Sequence, residues 1–466
     1  MGILDVLAKL GLLIPSAPRP RRRPTLGKRL FYTLLVAIVF IALGSTPLYG
    51  IEHPGRIPGL SPVVSVVLAM RQGTLAQLGI GPVVTAGLVL QILVGAKFLR
   101  LDLSNPEDRK KFTLASKGLA IIFSVLEAAG FVLSGLYWTN PAAVPAWIKG
   151  LVFAQLVWGA IVIIMLDEAV QKGWGLGSGV SLFILLGVAR VFFNDLFSFM
   201  KTRPPFAPYV TKEEIFGLIP YIAYSVSHGN FDFWYVFATR MMYGYPTIVG
   251  FIVTIIIVTI LVYLTVSKIN VPITSPRLRG IRTRIPLQLL YVTNIPVLLT
   301  AILLSDIMLF TSLAQGVIGY NTARLIRWYL TAPTIFSFVY FPLRAFIYSA
   351  IFLGLSIAFG LIWIEIAGLN PEAQAENLIK SGLEIPGMRR NPKILAHYLA
   401  RYIYPLTIFS SIVVAVIALV GNVFRTFGTG TGLLLAVGIL YNYYQIMIYE
   451  RTLQMYPALK RFLGEE

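Results

Sequence analysis

The stretch TIVGFIVTIIIVTILVYLTV, from Thr247 to Val266, decides the fold class of this protein. It carries no charged side chain, and as a helix it is long enough to cross the roughly 30 Å of hydrocarbon in a bilayer. Further apolar runs of similar length occur at 30–49, 75–96, 118–137, 148–166, 289–310, 346–366 and 406–424. Two shorter runs occur at 180–193 and 432–448. The sequence therefore predicts an all-α polytopic membrane protein with ten transmembrane helices, named spans 1 to 10 in chain order.

The composition excludes a soluble protein. Of the 466 residues, 57% are hydrophobic and only 13% are charged, whereas a soluble domain has about 45–50% apolar and about 25% charged residues. The chain has no cysteine and three histidines far apart in sequence, so disulfide, thiolate and His-pair metal chemistry have no candidates. Motifs of phosphate-binding loops, zinc proteases and serine hydrolases do not occur, and the Gly-rich stretches at 175–179 and 428–432 lack a lysine. We expect neither an enzyme nor a bound cofactor or metal.

The basic residues indicate the orientation of the chain. The formal net charge is +19, and most of the 39 Lys and Arg residues fall on the side of the bundle that carries the amino-terminal arm. Short loops rich in Lys and Arg stay in the cytosol. The sequence therefore predicts a multi-pass protein of the cell membrane with both termini in the cytosol.

The longest loop divides the chain into two halves with five spans each. The predicted units are a cytosolic basic arm (1–29), interpreted as flexible, an N-terminal half with spans 1–5 (30–196), an outer hinge loop (197–246), a C-terminal half with spans 6–10 (247–452) and a cytosolic tail (453–466). Two five-helix halves must have opposite orientations in the membrane. Inverted repeats of this kind place a pathway at the interface between the halves.

Two features bear on what the protein could move. The run Ile57–Ala69, IPGLSPVVSVVLA, is too short to cross the membrane, so it is either a re-entrant or interfacial segment or an apolar outer loop packed on the bundle. Glu127 lies in the middle of span 3 and is thin support for a proton relay. The other carboxylates of interest lie close to span ends, namely Asp167, Glu168, Asp306 and Glu365. The residues alone leave open a secondary transporter, a passive channel and, behind these, a structural scaffold.

Six blocks of sequence occur in the order found in one known family. They are GTLAQLGIGPVVTAGLVLQILVG (73–95), LDLSNPEDRKKF (101–112), LDEAVQKGWGLGSGVSLFI (166–184), LLYVTNIPVLLTAIL (289–303), WIEIAGLNP (363–371) and RYIYPLTIFSS (401–411). With these blocks, the chain from span 1 onward resembles the SecY family, the large (alpha) subunit of the Sec protein-conducting channel. It is more similar to the archaeal and eukaryotic branch than to the bacterial one.

The resemblance implies a passive channel whose two halves open like a clamshell around a central pore. Secretory polypeptides would cross the membrane through this pore, and membrane helices would leave into lipid through a lateral gate between spans 2–3 and spans 7–8. The segment at about 57–71 would be a re-entrant plug, with the apolar residues Ile57, Leu60, Val63, Val64, Val67 and Leu68. The aliphatic ring that closes the pore waist in the family matches Ile80, Val84, Val180, Ile184, Leu298 and Leu435.

The resemblance also implies polar sites and partners. The polar positions that meet across the lateral gate match Thr85, Glu127 and Asn294. The positions that dock a translating ribosome match Arg277, Arg279 and Arg389. Signal sequences and nascent polypeptides would be the substrates, and a SecE-like single-span subunit and a small beta subunit would complete the complex in the lipid bilayer. An ion-coupled secondary transporter of the inverted-repeat type is the alternative function.

Overall fold

The computed structural model describes residues 3–12, 14–20, 24–53, 65–66, 68–95, 98–99, 101, 105–135, 137–204, 213–275, 281–292, 294–380 and 391–455. Within these ranges, 9 helices are long and apolar enough to cross a membrane, and a shorter apolar helix stands where span 2 is predicted. Every predicted span is therefore present as a helix, and the prediction of an α-helical membrane bundle is confirmed.

The helices that form the spans begin or end at residues different from those of the apolar runs. They are Leu26–Ser45 (span 1), Gly81–Gly95 (span 2), Pro106–Leu133 (span 3), Ala146–Ala169 (span 4), Gly179–Phe197 (span 5), Ile248–Val266 (span 6), Ile295–Leu313 (span 7), Pro342–Ile366 (span 8), Pro392–Val423 (span 9) and Gly430–Met455 (span 10). Because the number of spans is even, the start of span 1 and the end of span 10 lie at one end of the bundle, called here the terminal face.

The loops contain further short elements. The helices outside the spans are Ile3–Gly11, Leu218–Ser227, Phe233–Phe237, Gln315–Ile318, Tyr320–Leu330, Ile335–Tyr340 and Pro371–Lys380, with a π-helical turn at Val170–Trp174 and a 3₁₀ turn at Thr239–Tyr243. Two antiparallel pairs of strands qualify the all-α prediction: β1 (Lys201–Thr202) pairs with β2 (Glu214–Ile215), and β3 (Lys268–Ser275) pairs with β4 (Ile281–Gln288).

Capping residues, rather than hydropathy, determine where two spans begin. Span 3 starts at Pro106, well before its apolar run, because the side chain of Asn105 accepts a hydrogen bond of 3.1 Å from the backbone N–H of Glu107. Asn391 caps span 9 in the same way, through the backbone N–H of Lys393 at 3.0 Å. Asparagine at the N-cap followed by proline at the first helical position is a strong start signal. These additional turns are polar, and a search for apolar runs does not register them.

Span 2 is shorter than predicted because the chain turns sharply before it. The helix starts at Gly81 instead of Leu75. Gly79 has a φ of +56°, and a Cβ at this position would collide with the carbonyl oxygen of Leu68. The backbone N–H of Ile80 donates to that same oxygen at 2.8 Å. The turn therefore ties the segment before span 2 to the start of the helix.

The amino-terminal arm is packed in the part that the structure describes, so its interpretation as flexible is wrong there. The helix Ile3–Gly11 runs antiparallel to the first turns of span 3. A Cβ on Gly118 would collide with the carbonyl oxygen of Leu7, and a Cβ on Gly11 would collide with that of Leu114. Small residues at such crossings let two helix backbones come close together.

All ten spans contribute buried side chains to one large apolar core. In its N-terminal half, the rings of Phe40 and Phe183 stack with their centroids 4.4 Å apart, which joins span 1 to span 5. The opposite faces of the spans expose large apolar side chains, such as Ile252, Ile255 and Ile256 of span 6. A surface of this kind is expected to contact lipid, because lipid tails are as apolar as these side chains.

The outer hinge loop is folded around a buried arginine. The guanidinium of Arg240 lies 3.7 Å from the ring centroid of Tyr221 and donates a hydrogen bond of 3.3 Å to the carbonyl oxygen of Pro246 and a second to that of Ile215. Burial lowers the pKa of Arg240, while the carboxylate of Glu214, 3.7 Å from its Nε, raises it. An arginine remains charged in either case. In the described part of this loop, Arg240 therefore links the helix Leu218–Ser227, strand β2 and the segment before span 6.

Candidate functional site

The six residues predicted to form the pore ring belong to one apolar core. Three are buried, with exposed fractions of 1% for Ile80, 3% for Ile184 and 1% for Leu435. The other three are half-buried and pack against the same core, namely Val84, Val180 and Leu298. They come from spans 2 and 5 of the N-terminal half and from spans 7 and 10 of the C-terminal half. Aliphatic side chains from both halves can close a narrow pore and exclude water.

Local structure presents four of these residues in two pairs. Ile80 and Val84 stand one turn apart, as do Val180 and Ile184, so each pair shares one face of its segment. Span 5 begins at Gly179, and Asp167 Oδ1 of span 4 accepts a hydrogen bond of 2.9 Å from the backbone N–H of Val180. This bond holds Val180 in the first turn of span 5.

The described end of the predicted plug lies between spans 5 and 10. A Cβ on Gly187 of span 5 would be 3.2 Å from the carbonyl oxygen of Val66, and a Cβ on Gly432 of span 10 would be 3.1 Å from its Cγ1. Leu68 is also buried, in the same core as the ring residues. Gly187 and Gly432 are each three residues from a ring position, Ile184 and Leu435. The other predicted plug residues lie outside the described residues: Ile57, Leu60, Val63, Val64 and Val67.

A polar contact joins span 2 to span 7 across the interface of the two halves. Thr85 Oγ1 donates a hydrogen bond of 2.9 Å to Asp306 Oδ2. Glu127 of span 3 is 3% exposed, and its Oε2 would lie 3.7 Å from a Cβ on Gly81 at the start of span 2. The carboxyl groups of Glu127 and Asp306 are close enough to interact electrostatically. Two of the three predicted gate residues therefore face the same carboxyl group on span 7.

The role of Asp306 was missed in the sequence. Its position near the end of the apolar run 289–310 indicated a carboxylate within reach of water. Span 7 instead runs from Ile295 to Leu313, which places Asp306 inside the helix and half-buried. The only signal available in the sequence was a charged residue in an apolar run, and such residues mark functional sites in membranes. Within the described residues, no group of three or more His, Cys, Asp or Glu side chains could hold a metal ion.

The structure places the third predicted gate residue, Asn294, at a different contact. Asn294 is the N-cap residue of span 7, about three helical turns before Asp306. A Cβ on Gly438 of span 10 would lie 2.8 Å from Asn294 Nδ2. Asn294 therefore packs closely against span 10, and its meeting with Thr85 and Glu127 stays a prediction.

The basic residues predicted to dock a ribosome are assigned here by their place in the sequence. Arg277 and Arg279 come between β3 and β4, and Arg389 comes between the helix Pro371–Lys380 and span 9. All three are outside the described residues. The hairpin itself is described, and its register pairs Thr274 with Arg282 and Pro272 with Arg284.

Comparison with known proteins identifies the family. The SecY family model matches residues 74–444. A protein translocase subunit SecY from Aeropyrum pernix is 44% identical over 473 residues, which cover 100% of both chains. The chain belongs to the SecY family. A second SecY subunit, from Saccharolobus solfataricus, is also 44% identical, over 478 residues that again cover 100% of both chains.

Solved structures of SecY-like channels have the same fold. A structure of a protein-conducting channel has 31% sequence identity and a TM-score of 0.77, and the match covers 98% of this chain and 99% of that one. Sec61 in a canine ribosome–channel complex has 30% identity and a TM-score of 0.75, with the same coverage. This SecY-family chain is thus a subunit of the protein translocase that forms a protein-conducting channel in the membrane. It is not an enzyme, and the alternative of an ion-coupled secondary transporter is discarded.

Proposed function

We propose that this SecY-family channel is closed by the aliphatic ring and the plug and opens sideways at the seam where span 2 meets span 7. The observation that carries the proposal is the position of Val66 between spans 5 and 10, in contact with Gly187 and Gly432. A segment that enters the bundle here lies beside spans 5 and 10, which carry three of the six proposed ring residues. Its displacement would leave a passage between the two halves.

The ring residues supply the properties that such a passage requires. A translocating polypeptide can present any side chain, so the constriction needs to be apolar, deformable and free of fixed polar partners. Ile80, Ile184 and Leu435 belong to the buried core, and narrow aliphatic constrictions can exclude water and ions by dewetting. Outward movement of one half would separate side chains that belong to different halves.

The seam between spans 2–3 and spans 7–8 is the proposed lateral gate. Thr85 and Asp306 form one hydrogen bond across it, and hydrogen bonds between helices in membranes contribute about 1 kcal/mol each. Glu127 and Asn294 are proposed as further polar residues of the gate. A contact of this strength favours the closed seam, yet insertion of an apolar signal sequence can offset it. The outer hinge loop, 197–246, which connects span 5 to span 6, is the proposed hinge between the two halves.

Orientation and partners complete the proposal. Both termini face the cytosol of the cell that holds the channel in its cell membrane, because most basic residues are on that side. Arg277, Arg279 and Arg389 dock a translating ribosome, whose RNA phosphates suit arginine. Support comes from the similarity to Sec61 in a ribosome–channel complex. A SecE-like single-span subunit and a small beta subunit join the complex, and signal sequences and nascent polypeptides enter it.

A reversible disulfide tests the plug directly. The Cβ of Ala69 lies 3.7 Å from the position of a Cβ on Gly187, a separation close to the mean of about 3.8 Å for disulfides. The double variant Ala69→Cys/Gly187→Cys, oxidised in proteoliposomes, would hold the end of the plug against span 5. Translocation is expected to stop on oxidation and to return on reduction. The native chain has no cysteine, so no other disulfide can form within it.

A second disulfide serves as a matched control. Gly44 of span 1 and Ala76 belong to the same half, and a Cβ on Gly44 would lie 3.9 Å from the Cβ of Ala76. Gly44→Cys/Ala76→Cys should therefore be oxidised with little effect on translocation, because the proposal requires no movement between these positions. Undiminished translocation by the oxidised Ala69→Cys/Gly187→Cys variant would contradict a mobile plug.

A further inference from the structure

The Gly-rich loop between spans 4 and 5 is packed tightly at the terminal face. This loop, Val170–Gly179, is called here the joint loop. Gly173 and Gly177 have positive φ angles, +101° and +66°, which a residue with a Cβ rarely adopts. A Cβ on Gly175 would come within 3.1 Å of Thr33 Oγ1 in span 1, and a Cβ on Gly177 would be 2.5 Å from the ring of Tyr443 in span 10. The glycines therefore bring the loop backbone against span 1 on one side and span 10 on the other.

Hydrogen bonds hold the joint loop to both spans. Arg29 Nε of span 1 donates to the carbonyl oxygen of Gly175 at 3.0 Å, and the backbone N–H of Leu176 donates to Thr33 Oγ1 at 2.9 Å. On the other side, the hydroxyl of Tyr443 donates to the carbonyl oxygen of Ser178 at 3.3 Å. Span 1 and the joint loop belong to the N-terminal half, whereas span 10 belongs to the C-terminal half. The loop is thus a bridge between the halves.

An ion pair reinforces this bridge. Arg29 Nη1 contacts Glu450 Oε1 of span 10, and the two side chains are only 11% and 7% exposed. Removal of one partner from a pair this buried leaves an uncompensated charge, which is strongly destabilising. Because Arg29 also binds the carbonyl oxygen of Gly175, one guanidinium connects span 1, the joint loop and span 10.

The joint loop also fixes the amino-terminal arm. Trp174 Nε1 donates to the carbonyl oxygen of Pro18 at 2.6 Å, and Lys172 Nζ donates to that of Ala17 at 2.7 Å. Lys172 is paired in addition with Glu168 at 2.7 Å. The joint therefore unites the arm, spans 1, 4 and 5, and span 10 at one end of the molecule.

We propose that the joint loop, locked by the Arg29–Glu450 pair, is a fixed joint between the two halves, and that it confines opening to the opposite seam. Arg29 and Glu450 are positioning residues in this arrangement and do not contact the substrate. The inference rests on the proposed gate at spans 2–3 and 7–8. It adds an account of why span 10 stays against the N-terminal half when that gate opens.

A crosslink that replaces the ion pair tests the joint. The full-length variant Arg29→Cys/Glu450→Cys, reconstituted in proteoliposomes with its partner subunits, is assayed before and after treatment with a short bifunctional maleimide. Without the crosslink, the ion leak of the resting channel is expected to rise, because the direct contact between span 1 and span 10 is lost. With the crosslink, the leak should return to the wild-type value, while translocation of a substrate with a full-strength signal sequence stays undiminished.

Two results would overturn the joint. A crosslinked joint that stops translocation would mean that this seam has to open, and a wild-type leak in the uncrosslinked variant would mean that the pair locks nothing. Glu450→Gln is a milder variant with nearly the same shape, and it should also raise the leak in a complex that elutes as a single species. Glu376→Gln is the control, because the Glu376–Lys380 pair is 3.5 Å long with side chains 60% and 74% exposed.

A crosslink at the gate separates this inference from the proposed function. Thr85→Cys/Asp306→Cys, joined by the same reagent, should stop translocation, whereas the crosslinked joint should not. Continued translocation with the gate crosslinked would overturn the proposed gate. The fixed joint is tested separately, by translocation and ion leak of the Arg29→Cys/Glu450→Cys variant.

Discussion

The hydrogen bond between Thr85 and Asp306 joins span 2 to span 7 across the proposed lateral gate. Thr85→Val keeps the shape of the side chain and removes the hydroxyl that donates to Asp306 Oδ2 at 2.9 Å. Interhelical hydrogen bonds in membrane bundles contribute about 1 kcal/mol, and with RT near 0.59 kcal/mol this is about a fivefold shift of the closed–open equilibrium towards open. Thr85→Val should therefore increase translocation of a substrate with a weakened signal sequence about fivefold.

A double-mutant cycle isolates the pair from its surroundings. Asp306→Leu removes the acceptor, but it also removes the electrostatic interaction with Glu127, so the single variant does not report the hydrogen bond alone. The cycle of Thr85→Val, Asp306→Leu and the double variant cancels such additional effects. Each variant is reconstituted at equal density, and the rate with the weak signal is divided by the rate with a full-strength signal. The coupling energy expected from these ratios is about 1 kcal/mol.

The control is a threonine whose hydroxyl bonds only within its own helix. Thr265 of span 6 donates to the carbonyl oxygen of Leu261 at 2.7 Å, away from the seam, so Thr265→Val should leave the ratio unchanged. Strictly additive effects of Thr85→Val and Asp306→Leu would refute the reasoning. An equal response of Thr265→Val would do so as well, because it would assign the effect to loss of any hydroxyl.

Three further predictions concern the loops and the arm. Reversal of charge at Arg277 and Arg279 should weaken ribosome binding in cosedimentation most at low salt, because phosphate contacts are salt-dependent; binding equal to wild type at every salt concentration would exclude docking at these residues. Gly118→Leu should lower the thermal unfolding midpoint by displacing the helix Ile3–Gly11, whereas Gly150→Leu, with open space around it, should not. Arg240→Gln should destabilise the outer hinge loop by about 3 kcal/mol, the lower end for removal of one partner of a buried charge pair, and proteolysis within 197–246 should be faster.

The spans could be predicted because their signal is directly physical. A helix in hydrocarbon has to be apolar along its crossing length, so an apolar run such as Thr247–Val266 marks span 6 almost to the residue. The start of span 2 was predicted too early because Gly79 turns the chain before the helix, and hydrophobicity does not report a backbone angle. The packed arm was missed for a similar reason. Its contacts depend on Gly118 of span 3, which is distant in sequence and has no distinguishing pattern.

The sequence could indicate which residues have the right chemical type for the candidate site. It could not indicate which side chains contact one another across the two halves. Ile80 and Ile184 lie within the matching sequence blocks, whereas Leu435 lies beyond the last of them, near the Gly-rich stretch 428–432. All three are buried in the core, and their membership of a pore ring stays a prediction. Asp306 was assigned to a span end, because nothing in the sequence indicates that Thr85 lies opposite. The six blocks align this chain with its family position by position, but a contact between spans of different halves is a tertiary property.

The polar contacts between the halves give a physical reason why the proposed gate, and not the joint, would be the side that opens. A channel with two seams opens at one of them only if the other is held more strongly. At the proposed gate, the contact described is a hydrogen bond between Thr85 and Asp306, of about 1 kcal/mol. At the joint, the buried Arg29–Glu450 pair is combined with backbone hydrogen bonds and close packing against Gly177. A signal helix that buries apolar surface at about 25 cal/mol per Å² can offset the first with a few tens of Å², and opening of the joint would add the far larger penalty of a stranded buried charge.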